Sequence, residues 1–123
     1  MPPASAGFDL PAPVAAAIDA INAGDRPALL SVFAEGAMVN DQLREYWGRA
    51  EISEWVARDV VGQRLSMRIR RVRNNHSHAV VEATVDGDFD RRGLPDPLVV
   101  SFYFSTHAGK IDQLLILRNE LSE

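Results

Sequence analysis

The 123-residue chain contains no cysteine, which excludes disulfide staples, a thiolate nucleophile and thiolate metal sites together. It has no apolar stretch long enough to cross a bilayer, no glycine-rich loop of the kind that cradles phosphates, and no nucleophile motif for covalent catalysis. Basic residues are outnumbered, 13 Lys and Arg against 17 Asp and Glu, for a formal net charge of -4. General attraction to a nucleic-acid backbone is therefore not expected. The start Met1-Pro2-Pro3-Ala4 lacks the basic opening and apolar run of a signal peptide, so the expected location is cytoplasmic and off the membrane. His76 and His78 alternate near a turn, but no third ligand falls in step with them, and His107 precedes another turn. Neither a metal nor another cofactor is expected.

What remains is an ordinary folding composition, 46% apolar and 24% charged. The length suits one domain with a real core. Residues 1–10, rich in Pro, Ala and Gly, read as a loose, flexible leader, and residues 11–123 as a single domain. Pro11 and Pro13 are tolerated where a helix starts, because an amide donor is spare there. Val14, Ile18 and Ile21 then recur at helical spacing, and Gly24 supplies a stop. Asp25 is placed to cap a second helix, with Pro27 in its first turn and Leu29, Leu30 and Phe33 on its buried side. A short strand is predicted over Ala37–Asn40, then a turn, then a third helix from Arg49 to Val60 with Ile52, Trp55, Val56 and Val60 inward. Gly62 ends it.

The second half changes period. Strands are predicted over Ser66–Arg73, His78–Phe89, Leu98–His107 and Lys110–Arg118, with turns at Asn74–Asn75 and Ala108–Gly109 and a long loop over Asp90–Pro97. Helices first and an antiparallel sheet afterwards make an α+β pattern. Val99 and Tyr103 share one face of their strand, and Val100, Phe102 and Phe104 the other. A single-layer sheet would leave one face wet. The expectation is that helices cover one face and the other forms a homodimer.

Three pieces carry a resemblance: Ile21-Asn22-Ala23-Gly24-Asp25, Leu30-Ser31-Val32-Phe33-Ala34-Glu35-Gly36-Ala37, and Tyr46-Trp47-Gly48-Arg49-Ala50-Glu51-Ile52. The terminal Gly109-Lys110-Ile111-Asp112-Gln113-Leu114 agrees with them. The chain resembles the nuclear transport factor 2-like superfamily, in particular its SnoaL-like members, from about Val14 to Glu120. The resemblance implies a cone of helices on a curved sheet around an apolar cavity, often dimeric. It implies no single activity, because the superfamily holds isomerases, cyclases, hydrolases, dehydratases and domains without chemistry. Asp41 falls where the related ketosteroid isomerases carry a proton-shuttling aspartate. Their two oxyanion donors, a Tyr and a protonated Asp, correspond by spacing to Ala17 and Ser101 here. Steroid isomerase activity is disfavoured.

Candidate site residues follow. Asp41 is the catalytic candidate, a carboxylate at the end of an apolar strand that would move a proton; the bland alternative is an Asx-type turn former. Asn40 shares that ambiguity. Tyr46, Ser101, Tyr103 and Arg118 are candidates to orient or polarise a ligand, with Trp55 in the cavity wall or core. Glu82 is a second carboxylate if its strand face turns inward, and solvent-facing otherwise; a one-residue slip reverses the assignment. Among the alternating arginines Arg68, Arg70, Arg71 and Arg73, Arg70 is the best candidate to bind a carboxylate or oxyanion. The partner expected is a small, mostly apolar molecule with one polar, carbonyl-like group. The rival is a non-catalytic ligand-binding or dimeric assembly domain.

Overall fold

A computed structural model describes residues 3–118; the first two residues of the predicted leader and the last five of the predicted domain lie outside the described residues. Helix α1 spans Ala12–Ala23 and ends at Gly24, whose φ of +65° a glycine adopts without steric cost. The amide of Asp25 then closes back on the Ala20 carbonyl, 3.0 Å away, satisfying an orphan acceptor of the last turn. Asp25 caps α2 (Arg26–Ser31) through Oδ1, which accepts from the Ala28 amide at 3.1 Å. Phe33, predicted on that helix, instead opens strand β1 (Phe33–Asp41).

Strand β2 (Arg44–Trp47) stands where only a turn was predicted. The hairpin turn Gln42–Leu43 holds φ of +54° and +71° with neither Gly nor Asn, so the usual sequence signal is missing. Asn40 supports it locally, its Oδ1 accepting from the Leu43 amide at 2.9 Å. Helix α3 covers Gly48–Trp55 and widens into a π-helical turn, Val56–Val61, so the predicted single helix is two segments. Gly62 follows with φ -61°, in the right-handed region. A Cβ there would meet the Ala57 carbonyl oxygen at 2.5 Å, so the close return of the wide turn is what requires glycine.

Strands β3 (Ser66–Asn75), β4 (His78–Asp86), β5 (Leu98–His107) and β6 (Lys110–Arg118) complete a six-stranded sheet in the order β2-β1-β6-β5-β4-β3. Among the described residues only the β1–β6 pairing is parallel. The β3–β4 turn lies at His76–Ser77 rather than Asn74–Asn75, and β4 stops at Asp86 rather than Phe89. Phe89 thereby belongs to the loop 87–97.

Side chains alternate across the sheet. Val81, Ala83 and Val85 of β4, Val100, Phe102 and Phe104 of β5, and Leu114 and Ile116 of β6 join Val14, Ile18, Ile52 and Trp55 of the helices in one buried cluster. The helices therefore cover this inner face. Val80, Glu82 and Thr84 alternate with the buried set on the outer face, level with Val99, Ser101 and Tyr103. A bulge at Arg70 shifts the phase of β3, so Ile69 and Val72 both pair with inward residues while Arg68, Arg71 and Arg73 pair with outer ones. The alternation read for the four arginines is therefore broken at Arg70. Ahead of α1, where a loose leader was predicted, Ser5 Oγ donates to Asp19 Oδ2 at 2.7 Å and Asn74 Nδ2 donates to the Asp9 carbonyl at 2.5 Å. No helix among the described residues is long and apolar enough to cross a membrane.

Candidate functional site

An open cavity of about 630 Å³ lies between the inner face of the sheet, α3 with its π-turn, and the loop 87–97. Its floor and walls are apolar: Leu65, Val85, Leu98, Val100, Phe102 and Ile116. The loop adds Phe89 and Leu94. Polar groups gather on the β1–β2 side, from Asp41, Gln42, Arg44 and Tyr46, with Asp59 and Gln63 arriving from the π-turn and its end.

Asp41 ends β1 on the inner face, two residues beyond the fully buried Val39. Its Oδ2 accepts from Trp55 Nε1 at 2.9 Å. Burial pushes this carboxyl above its ordinary range, because charge is costly where water is thin. The indole hydrogen bond opposes that shift by favouring the ionised form, the nearby Asp59 charge adds to it, and Gln42 and Arg44 lower it. Desolvation prevails. The result is a carboxyl that holds a proton more readily than a surface Asp does, set where the polar side of the cavity meets its apolar wall.

The neighbouring groups form a chain. Tyr46 Oη donates to Asp59 Oδ2 at 3.5 Å and accepts from Arg58 Nη2 at 2.9 Å. Arg58 closes the ring with an ion pair to Asp59 at 3.2 Å. The rings of Tyr46 and Trp55 sit 6.3 Å apart at 36°, and the Arg58 guanidinium lies 5.7 Å from the centre of the Tyr46 ring. Gln42 ties this corner to β6: its amide and its Nε2 both donate to the Ile116 carbonyl, at 3.0 and 3.2 Å.

Of the predicted site residues, Asp41, Tyr46, Trp55 and Arg118 line the cavity. Asn40, Ser101 and Tyr103 do not. Register is the reason: Ser101 and Tyr103 alternate with the inward Val100 and Phe102, and Tyr103 is 40% exposed. Asn40 takes the turn-forming role considered for Asp41. Glu82, level with Ser101, belongs to the outer face, and Arg70 is the bulged residue of an edge strand rather than a cavity residue. Sequence reading missed Arg44, Asp59, Phe89 and Asp90. Arg44 was hidden with β2. Asp59 carries an acid in the helix that bears Trp55, four residues on, a helical-face spacing that pointed to the same corner. Among the described residues no group of three or more His, Asp or Glu could hold a metal ion.

A family model described as "SnoaL-like domain" matches residues 14–114. Among solved structures, a proposed polyketide cyclase from Sinorhizobium meliloti is 27% identical, covers 89% of this chain and 97% of its own, and superposes with a TM-score of 0.80. A proposed polyketide cyclase from Xanthomonas campestris is 26% identical over 88% of each chain, with a TM-score of 0.73. A third protein, of ketosteroid isomerase-like fold from Catenulispora acidiphila in complex with trimethylamine, is 23% identical, covers 89% of this chain and 86% of its own, with a TM-score of 0.73, and shares the fold. No curated protein matches the chain.

Proposed function

The chain belongs to the SnoaL-like domain family, and from that premise we propose that it is a proton-transfer enzyme of the isomerase, cyclase or lyase type. Its substrate is a small, mostly apolar molecule with an acidic C–H beside a carbonyl, and Asp41 moves the proton. The observation that carries this reading is the Asp41 carboxyl, held by Trp55 Nε1 at 2.9 Å beside the apolar wall of the cavity and pushed upward by burial. Ionised, such a carboxylate is a stronger base than a solvated one; protonated, it returns the proton to another atom of the same substrate. The names of the two relatives near one-quarter identity agree with carbon-acid chemistry.

The test uses an apolar ketone, tetralone, in deuterated water. Wild-type protein should accelerate exchange of its α-hydrogens, followed by NMR, and Asp41→Asn should return the rate to that of buffer. Exchange that survives in Asp41→Asn would remove Asp41 from the chemistry.

The rival reading, a non-catalytic dimeric assembly domain, draws on the outer face. There Val80, Val99, Leu115 and Leu117 are only half-buried around the exposed Tyr103, an apolar strip that a second copy of the sheet would cover. The proton-transfer reading takes the same homodimer as its scaffold. Sedimentation velocity should give a dimer for the wild type and a monomer for Tyr103→Lys. A monomeric wild type would remove the dimer from both readings.

A further inference from the structure

Two guanidinium groups border the cavity beside Asp41. Arg44 is the cross-strand partner of Asp41 in the β1–β2 hairpin, so it shares the inner face. Arg118 lies two residues beyond Ile116, itself the partner of Asp41 on the other side, and opposite the inward Val100. β1 stands between their two strands, so the backbones that carry them are about 10 Å apart, a gap two arginine side chains span easily. Both line the cavity.

Of the other charged groups of this wall, Asp41 accepts from Trp55 Nε1 and feels the Arg44 charge at longer range, and the remaining two acids are ion-paired. Asp59 pairs with Arg58 and Asp90 pairs with Arg92, at 3.2 and 2.8 Å. Nearby Arg64 and Arg91 are engaged by Asp88 and Asp86. Among the described residues, neither Arg44 nor Arg118 has a carboxylate within ion-pair distance. Arg68, Arg71 and Arg73 of β3 differ in kind, because they stand opposite outer-face residues on an edge strand. Arg44 and Arg118 instead stand where an apolar wall meets solvent, so a ligand can bury its body in the cavity and leave an anionic end between them.

We propose that Arg44 and Arg118 form a carboxylate subsite, so that the ligand is an aromatic or alicyclic carboxylic acid whose ring lies against Phe102, Leu98 and Val85. This rests on the reading of the cavity as a small-molecule site and deepens it by naming the substrate class. Guanidinium suits the task, since its planar fork meets a carboxylate with two parallel hydrogen bonds and needs little reorganisation. The carboxylate fixes which end of the molecule faces the mouth, and the ring behind it brings an adjoining carbonyl to Asp41.

The experiment compares three probes of one shape, a naphthoate, a naphthamide and a naphthylmethylamine, titrated into the full-length protein by calorimetry at low salt. The naphthoate should bind about tenfold more tightly than the amide, the ratio expected of one good charge-assisted contact. Arg44→Gln and Arg118→Gln should each weaken naphthoate by about five- to tenfold and leave naphthamide within about twofold, while Arg73→Gln on the outer face changes neither. Thermal melts establish that the variants are folded. Equal affinity for acid and amide would overturn the subsite and leave the cavity reading intact. Tightest binding of the amine would overturn it in favour of the carboxylates of the wall. Binding of none of the three would remove both subsite and cavity reading. The tetralone exchange assay fails or succeeds independently of these titrations, so the proton-transfer role of Asp41 is judged separately.

Discussion

Three rows of side chains cross the inner face of the sheet, and the change between them separates a sealed end from a working end. The deepest row runs Val39, Leu114, Phe104 and Ala79, all 1% exposed or less. The next runs Asp41, Ile116, Phe102 and Val81, and the third runs Arg118, Val100 and Ala83. Each step is about 7 Å along the strands. The backbone is the same in all three rows; only β1 and β6 change residue type, from Val39 to Asp41 and from Ile116 to Arg118. A single period-two pattern thus builds a hydrophobic base and a charged mouth, and the polarity rises on the parallel pair β1 and β6 while β4 and β5 stay apolar throughout. Stability should live in the first row and chemistry in the second.

The largest expected effect tests the base. Phe104→Ala removes a ring that is 1% exposed and stacks against Phe102 at 6.4 Å between centroids, so it should cost about 3–5 kcal/mol in urea denaturation. A loss no larger than that of truncations at the mouth would erase the distinction between the two ends.

A smaller loss, about 1–2 kcal/mol, is expected for Trp55→Phe, which keeps an aromatic in the wall but removes the indole N–H. Its more telling readout is the carboxyl NMR titration of Asp41. The lost hydrogen bond favoured the charged form, so Asp41 should titrate still higher in the variant. An unchanged titration would detach Trp55 from the electrostatics of the mouth.

Asp41→Asn should reverse the sign. Because the folded-state value of Asp41 is raised above its ordinary 3.8, the folded protein binds the proton more tightly than the unfolded chain does. Its contribution to stability is therefore intact below the unfolded value and falls as pH rises through the interval up to the raised folded value. Asn cannot ionise and still accepts from the indole. The variant should be more stable than wild type at neutral pH, by about 0.5–1 kcal/mol, with the difference vanishing in acid. Measured from pH 3 to 8, a variant less stable at neutral pH would mean that ionised Asp41 is an asset to the fold.

Much of this division was legible in the sequence. The α+β order, both caps and the spans of β5 and β6 follow from turn residues and from the change of period. Asp41 and Arg118 were legible as polar ends of apolar strands. What escaped was set by backbone geometry that side-chain types do not announce. The turn at Gln42–Leu43 has no Gly or Asn, so β2 and Arg44 were hidden. The bulge at Arg70 reversed the phase of its strand. Ser101 was assigned to the cavity by its spacing in the isomerase resemblance and Tyr103 as a ring able to bond a ligand, whereas their own strand's alternation with Val100 and Phe102 assigned them to the other face.

The same backbone geometry supplies the smallest effect. Two hairpins close with nearly the same pair of positive φ angles, Gln42 and Leu43 at +54° and +71° at the mouth, and Ala108 and Gly109 at +52° and +77° beyond the base. The base turn has glycine in the second position; the mouth turn has leucine, 79% exposed and so with little packing to lose. Leu43→Gly makes the two turns alike. Relief of the left-handed conformation is worth about 1–2 kcal/mol, and the greater freedom of glycine in the unfolded chain takes back about 0.5–1 kcal/mol. A net gain of about 0.5 kcal/mol should appear as a higher urea midpoint at unchanged slope. The side chain of Gln42, not of Leu43, bonds to the Ile116 carbonyl, so tetralone exchange should be unaltered. If exchange falls while stability rises, the strained residue is holding Gln42 and Asp41 in place, and the mouth trades stability for position where the base does not.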